Sequence, residues 1–134
     1  MRKNSGTLNP SLARVISELG HTDELVVTDA GLPIPAGVER IDLALTANVP
    51  RFLECLDVVL AEVQAEGAIA ASEIAEHSPE LLEALRERLG SHGIPLELVP
   101  HTDFKERSKS SKAAVRSGEF TPYANVILVA GVVY

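Results

Sequence analysis

The sequence predicts an α/β fold, a single domain over residues 1–134 in which helices flank a largely parallel central sheet. Short β-branched or small apolar runs alternate with stretches of helical period, the pattern of parallel strands joined by crossover helices. A length of 134 residues suits one domain, and no repeat or long linker divides the chain. Aromatic residues make up only 4%, so aliphatic side chains must fill the core.

The first helix has a signal at each end. Asn9 is the expected N-cap, Pro10 suits the first helical position, and Gly20 is expected to end the helix in a left-handed conformation. Between them apolar residues recur on one helical face. These residues are Leu12, Val15, Ile16 and Leu19.

The later elements are predicted in the same way. Ser78 is expected to cap a third helix that closes within 90–93, and Thr102 to cap a short basic helix. Gly and Pro residues over 31–37 exclude regular structure there. The predicted strands are 25–28, 38–43, 68–72, 96–99, 113–116 and 126–134, and the second helix is 52–63.

The chain ends on its most apolar predicted strand, 126–134. A strand of this kind must be covered on both faces. Either it lies centrally in the sheet of a monomer, or a neighbouring subunit covers it. The pattern is modest evidence for a homo-oligomer, and both explanations stay open.

Charge and cysteine content restrict the class of protein. A formal net charge of -7 argues against nucleic acid and anionic membranes as partners, because both require clustered cations. The basic run 105–112 is interpreted as a solvated helix face. Cys55 is the only cysteine and is expected in the core. With no apolar leader after Met1, the protein is expected to be cytoplasmic.

His21 and Asp29 are the first candidate functional residues. His21 follows the first helix, and an imidazole exchanges protons near neutral pH. The alternative is a structural histidine favoured by the partial negative charge of the helix end. Asp29 ends an apolar strand before a Gly/Pro loop, where open α/β sheets bind ligands. Its structural alternative is an Asx-turn that closes the loop.

His101 follows a strand and is expected at the same sheet edge as Asp29, although it could be an exposed loop histidine. His21, Asp29 and His101 could form a two-His, one-carboxylate metal site, but no metal-binding spacing supports one. The sequence contains no phosphate-binding glycine motif and no nucleophile elbow. His77 and His92 are interpreted as surface residues.

The segment 115–125 supplies a third group of candidates. Tyr123 and Asn125 flank Ala124 after a Thr-Pro turn, so a phenol, an amide and backbone groups lie together. A phenol and an amide can each donate and accept hydrogen bonds, as recognition of sugar hydroxyls requires. The structural alternative is a turn in which Tyr123 packs on the sheet and Asn125 closes the chain. The residues alone leave the two open.

Four stretches of the sequence, in order and over essentially the whole chain, resemble the ribose pyranase/fucose mutarotase family. They are 21–23, 28–33, the His101 region and 116–125. The triplet 31–33 is similar to the ribose branch, since the fucose branch tends to carry Asn-Phe-Pro there. The resemblance implies an isomerase that interconverts the β-pyranose and β-furanose forms of D-ribose without metal or cofactor and supplies ribose for phosphorylation.

The resemblance also implies roles and an assembly. His21 would be the catalytic proton donor, and Asp29, His101, Tyr123, Ala124 and Asn125 would bind the sugar. The assembly would be a homodecamer of two pentameric rings with the site at a subunit boundary. Two other functions stay open: a mutarotase acting on fucose or another sugar, and a non-catalytic sugar-binding accessory of a ribose transport system.

Overall fold

Six strands and five helices alternate along the chain in the computed structural model, which describes residues 1–134. The strands are β1 (Glu24–Thr28), β2 (Glu39–Asp42), β3 (Ala65–Ala71), β4 (Leu96–Val99), β5 (Ala113–Arg116) and β6 (Val126–Ala130). The helices are α1 (Pro10–Glu18), α2 (Phe52–Glu62), α3 (Ile74–His77), α4 (Pro79–Ser91) and α5 (His101–Ser108). Every predicted strand and main helix is present, and only α3 was not foreseen.

The strands form one sheet in the order β2-β5-β1-β6-β3-β4. β1 and β2 both pair parallel with β5, and β3 pairs parallel with β4. β6 alone runs antiparallel, between β1 and β3. The predicted α/β fold with a largely parallel sheet is therefore confirmed. A central position for β6 accounts for its apolar sequence without a neighbouring subunit.

The sheet is buried on both faces. Successive β1 residues alternate between two cores: Leu25 and Val27 belong to a cluster of 22 buried residues, and Val26 to a cluster of eight. The larger cluster contains the apolar faces of α1, α2 and α4, and Phe104 of α5 packs in the smaller one. Cys55 lies in the larger cluster as expected, where burial raises the pKa of its thiol to about 11.

The predicted boundaries of α1 are right at one end and wrong at the other. The Asn9 side chain accepts a hydrogen bond from Leu12 N at 2.9 Å, which confirms the N-cap. The left-handed stop at Gly20 is wrong, because α1 closes at Leu19 with an extended backbone. The positive φ, 70°, belongs to Thr22 in the following turn.

Of two other predicted caps, one is in place and one is wrong. Ser78 is the N-cap residue of α4 as predicted, but its hydroxyl makes no cap bond and donates to the Pro122 carbonyl at 3.0 Å. The predicted cap at Thr102 is wrong, because Thr102 lies inside α5, which begins at His101 after Pro100 as the N-cap. The predicted strand 126–134 ends at Ala130.

The remaining expectations on the surface agree with the structure. Arg107 lies 2.9 Å from a carboxylate oxygen of Glu24, and Lys109 pairs with Glu106 at 2.7 Å, so the basic run forms a solvated face with ion pairs. No helix has the length and apolar character that crossing a membrane requires.

Strand direction sorts the candidate residues onto two edges of the sheet. The parallel strands end at one edge, which we call the carboxyl edge, and antiparallel β6 begins there. Asp29, His101 and the 117–125 segment therefore lie at the carboxyl edge. The opposite edge, the amino edge, carries the start of β1 with His21, the start of β3 and the end of β6.

Candidate functional site

A cavity of about 560 Å³ opens at the carboxyl edge, within the size range of small-molecule sites. Four of the predicted sugar-binding residues line it together, although they come from separate parts of the sequence. They are Asp29, His101, Tyr123 and Asn125. The sequence prediction of a common edge for Asp29 and His101 is thus confirmed by their position.

Asp29 and Asn125 form the most ordered part of the cavity wall. Asp29 Oδ1 accepts hydrogen bonds from Gly31 N at 3.0 Å and Leu32 N at 2.8 Å, so the Asx-turn is present. The buried Asn125 amide donates to Asp29 Oδ2 at 3.2 Å and accepts from Asp29 N at 2.9 Å. Burial raises the pKa of Asp29, and the hydrogen bonds oppose that shift only in part.

These bonds show that the structural and ligand-binding interpretations of Asp29 are compatible. One carboxylate oxygen closes the loop, and the other lies beside Asn125 in the cavity wall. A carboxylate oxygen has two lone pairs, so Oδ2 can accept a further bond from a hydroxyl.

His101 is fixed by its backbone and its ring. Its N–H donates to both carboxylate oxygens of Glu73, at 3.0 and 3.1 Å, which places an acid at the start of α5. The ring stacks on Phe104 with centroids 6.2 Å apart and meets the Tyr123 ring edge-on at 5.1 Å. Nδ1 is buried without a partner, so Nε2 is the nitrogen available to the cavity.

The Tyr123 ring contacts two imidazoles, and its backbone has an unusual conformation. Its φ of 62° lies in the left-handed region, which non-glycine residues adopt mostly where the fold requires it. The ring centroids of His77 and Tyr123 lie 5.1 Å apart. His77 is exposed, as expected, yet it also contacts a candidate site residue.

Ala124 does not share the cavity. Its side chain is fully buried in the larger core, and the residue is absent from the cavity wall. The tight turn around it, closed by a 2.9 Å bond from Asn125 N to the Tyr123 carbonyl, directs its two neighbours toward the cavity. The side chain of Ala124 therefore spaces and packs the turn, so a contact of this residue with a ligand would be made by its backbone.

Glu119 is a buried carboxylate that the sequence did not single out. Its oxygens accept hydrogen bonds from Phe52 N at 3.2 Å and the Thr121 hydroxyl at 2.8 Å, and Arg51 lies 3.2 Å away. Burial by itself would raise the pKa of Glu119, but these donors outweigh it and hold that pKa below the ordinary value. The carboxylate links the start of α2 to the segment that carries Tyr123.

Arg116 also lines the cavity. Its Nε donates to the Ala30 carbonyl at 3.0 Å, and its Nη1 lies 3.1 Å from both oxygens of Asp42. The guanidinium thus fixes the backbone next to Asp29. Lys105, in the helix that begins at His101, is not part of the cavity wall.

His21 is not brought together with the other candidates in a single chain. It precedes β1 at the amino edge, whereas Asp29 follows β1 at the carboxyl edge, and the strand between them is about 15 Å long. The proposed metal set of His21, Asp29 and His101 therefore cannot meet within one chain. Instead His21 Nε2 lies 3.1 and 3.0 Å from the two oxygens of Glu66.

The two edges offer different chemistry. The carboxyl edge presents an amide, a carboxylate, a phenol and an imidazole around one cavity, which suits a ligand rich in hydroxyls. The amino edge presents an exposed imidazole beside a carboxylate, which suits proton transfer. The supporting residues, Glu66, Glu73 and Glu119, could not be predicted because each bonds to a residue at least 28 positions away.

Known proteins resemble this chain over its whole length. The model of the RbsD / FucU transport protein family matches residues 2–133. The chain is 52% identical over 134 residues to the D-ribose pyranase of Laribacter hongkongensis, covering 100% of both proteins. It is 54% identical over 138 residues to the D-ribose pyranase of Vibrio vulnificus, covering 98% of this chain and 99% of that protein.

Two solved structures share the fold. Bacillus subtilis RbsD, complexed with D-ribose, matches with a TM-score of 0.94 and 43% identity over 99% of this chain and 100% of that one. The fucose mutarotase of Streptococcus pneumoniae, in complex with L-fucose, matches with a TM-score of 0.84 and 28% identity over 100% of both. The chain therefore belongs to the RbsD/FucU family.

Proposed function

We propose that this protein is an isomerase that interconverts the β-pyranose and β-furanose forms of D-ribose, the activity of a D-ribose pyranase, and so supplies ribose for phosphorylation. The observation that carries the proposal is the identity of about half of all residues, over full length, with proteins of that name. The cavity at the carboxyl edge adds hydroxyl-binding groups of the kind the substrate needs.

The reaction breaks one C–O bond and forms another, and proton donors and acceptors are sufficient to assist both steps. To open the pyranose, the anomeric hydroxyl loses its proton, C1=O forms, the bond from C1 to the ring oxygen breaks, and that oxygen takes up a proton. To close the furanose, the 4-hydroxyl oxygen attacks C1, loses its proton, and the carbonyl oxygen is protonated. No net oxidation or loss of atoms occurs. A positioned acid or base accelerates such steps about 10²- to 10⁴-fold.

The residue roles follow the chemistry of each edge. Asp29, His101, Tyr123 and Asn125 bind the sugar hydroxyls and hold the open chain so that the correct hydroxyl meets C1. Ala124 contributes through its backbone and through the turn that places its neighbours. His21 is the proton donor to the ring oxygen.

The separation of the two edges supports a site shared between subunits. His21 reaches the sugar from a second copy of the chain, within a homodecamer of two pentameric rings. Each cavity then uses the carboxyl edge of one protomer and the amino edge of its partner. The cytoplasmic location expected from the sequence stays a prediction.

A mixing experiment tests the shared site. His21→Ala and Asp29→Ala chains are each expected to be inactive, and co-refolding them in equal amounts should restore activity in about one site in four. Mass measurement in solution checks that both variants assemble as the wild type does. Mixtures that stay as inactive as the separate variants would contradict a shared site.

The activity itself is tested by NMR saturation transfer between the pyranose and furanose signals of D-ribose. The protein is expected to accelerate that exchange, and L-fucose in the same assay should respond less. Faster fucose exchange would favour the mutarotase function, for which the similarity to the Streptococcus pneumoniae enzyme is the specific observation. Saturable ribose binding without acceleration would indicate a non-catalytic accessory.

A further inference from the structure

We propose that Glu66 is a positioning residue for His21: it holds the imidazole at Nε2 and leaves Nδ1 as the nitrogen that exchanges a proton with the sugar. The inference rests on the proposed function, in which His21 is the proton donor. It names the residue that orients the acid and the atom that carries the transferred proton.

The contact geometry decides which nitrogen is engaged. Both Glu66 oxygens lie within hydrogen-bond distance of His21 Nε2, at 3.1 and 3.0 Å. An ionised carboxylate only accepts hydrogen bonds, so Nε2 carries a proton while the pair is formed. In the neutral ring Nδ1 then carries the lone pair. In the imidazolium Nδ1 carries the second proton. That nitrogen is the one that can donate to the ring oxygen.

The backbone beneath His21 is fixed by other bonds, which leaves the ring orientation to Glu66. The turn from Gly20 to Asp23 is closed by a 3.1 Å bond from Asp23 N to the Gly20 carbonyl. Strand β6 secures this turn through 2.8 Å bonds from Thr22 N to the Ala130 carbonyl and from Ala130 N to the Asp23 carbonyl. The His21 side chain is 55% exposed, and Glu66 is its one hydrogen-bond partner.

Gly131 places the Glu66 carboxylate beside the turn. A Cβ added at Gly131 would lie 3.2 Å from Glu66 Cβ and 3.5 Å from Glu66 Oε2. Contacts of 3.2 Å are tighter than ordinary van der Waals separation, so even alanine at this position would require Glu66 to move by a few tenths of an ångström. The absence of a side chain at Gly131 is therefore matched to the position of the carboxylate.

Other ionisable groups surround His21 without contacting it by hydrogen bonds. Glu62 and Tyr134 line a cavity of about 390 Å³ together with His21, and Glu62 pairs with Arg2 at 3.3 Å. Asp23 accepts a bond from Gly20 N at 2.8 Å and lies 3.9 Å from Lys112. Glu66 thus differs from the neighbouring carboxylates by direct contact with the ring.

The role can be tested because the pair contributes little to folding. An ion pair with both members this exposed contributes little to the stability of a protein. Variants of Glu66 should therefore fold and assemble normally, and a change in their kinetics reports on the position of His21.

The experiment compares four variants of the full chain by ribose exchange. Glu66→Ala should lower kcat about 10- to 100-fold, the size expected for a misplaced reacting group, with KM changed less than about twofold. Glu66→Gln keeps an acceptor and should recover most of kcat. Gly131→Ala should lower kcat although Glu66 is intact. Glu62→Gln, the matched control, removes a charge from the same cavity and should stay within about twofold of wild type.

A readout independent of activity is the mobility of the His21 ring, measured by ¹³C relaxation of the labelled imidazole in the absence of sugar. The ring should be ordered in the wild type and mobile in Glu66→Ala. Equal mobility in both would overturn the inference.

The kinetic outcomes separate the two proposals. Wild-type kcat in Glu66→Ala, together with slow exchange in His21→Ala, would overturn the role of Glu66 and leave the function intact. Equal losses of kcat in Glu66→Ala and Glu62→Gln would contradict a role for direct contact between Glu66 and His21 and would indicate a general effect of negative charge. A wild-type protein that fails to accelerate exchange would instead overturn the proposed function, whatever the ring mobility shows.

Discussion

The two ends of strand β1 contrast sharply in how their polar groups are held. At the carboxyl end, Asp29 makes three side-chain hydrogen bonds and the amide of Asn125 is 1% exposed. At the amino end, His21 and Glu66 form an exposed pair on a short turn. The groups proposed to bind the sugar are preorganised within one chain, whereas the proposed proton donor depends on a single side-chain partner.

This difference teaches that the two tasks of the proposed reaction place different demands on the fold. Binding several hydroxyls requires fixed positions, which buried and fully bonded groups provide. An acid that serves a neighbouring subunit has to lie at the surface before assembly. We therefore expect substitutions at the carboxyl edge to lower both stability and catalysis. Substitutions at the amino edge should lower chiefly catalysis.

The largest expected effect is on catalysis at the amino edge. His21→Ala should slow the exchange between pyranose and furanose about 10²- to 10⁴-fold, because the proton donor is lost. Ribose affinity and the free energy of unfolding should change little, since the side chain is 55% exposed. Saturation transfer measures the rate, and titration calorimetry measures affinity. Exchange as fast as in the wild type would remove His21 from the mechanism.

The next effect is on stability at the carboxyl edge. Asn125→Ala removes the amide that bonds to both the backbone and the carboxylate of Asp29, so the buried partner groups lose their bonds. The free energy of unfolding should fall by about 1–3 kcal/mol, and ribose should bind more weakly. Urea denaturation measures the first and calorimetry the second.

Glu66→Ala is the matched comparison at the amino edge, where the loss of stability should stay below about 1 kcal/mol. Equal destabilisation by the two substitutions would contradict the contrast between the edges.

A third prediction concerns the close packing beneath the cavity. A Cβ added at Gly118 would lie 2.5 Å from the Val49 carbonyl oxygen and 2.6 Å from that of Thr46. Gly118→Ala should therefore destabilise the protein by about 1–3 kcal/mol, since the backbone must move. Gly90→Ala, in helix α4 with open space around it, is the control and should be neutral or slightly stabilising. Thermal unfolding compares the two variants, and similar melting temperatures for Gly118→Ala and Gly90→Ala would contradict the prediction.

The smallest effect is a pH dependence of opposite sign at two neighbouring carboxylates. Burial raises the pKa of Asp29, so its contribution to stability is present below its unfolded pKa, about 3.9, and is lost as pH rises through the folded value. The pKa of Glu119 is lowered because hydrogen bonds outweigh burial. Its contribution is present above the unfolded value, about 4.3, and is lost as pH falls.

The two carboxylates can be compared through their amide variants. From pH 3 to pH 7, the unfolding free energy of Asp29→Asn should rise relative to wild type, and that of Glu119→Gln should fall. Urea titrations at several pH values measure both differences. Parallel slopes for the two variants would contradict the assigned environments.

Much of the fold could be predicted because its signals are local. The N-cap at Asn9, the helical spacing of apolar residues and the β-branched runs all act within a few positions along the chain. The errors at Gly20 and Thr102, and the missing side-chain cap bond at Ser78, have one cause. A turn, a distant carbonyl or a preceding proline supplied the geometry that a local cap was expected to supply.

In the candidate site, too, some features follow from local sequence and others from tertiary contacts. By itself, the sequence determined the α/β class and the shared edge of Asp29 and His101, because parallel strands place their ends together. The tertiary structure alone decided that His21 lies at the other edge beside Glu66, that Glu119 joins α2 to the Tyr123 segment, and that Ala124 points into the core. Local patterns specify elements, whereas contacts between residues 45 or more positions apart depend on strand order and direction.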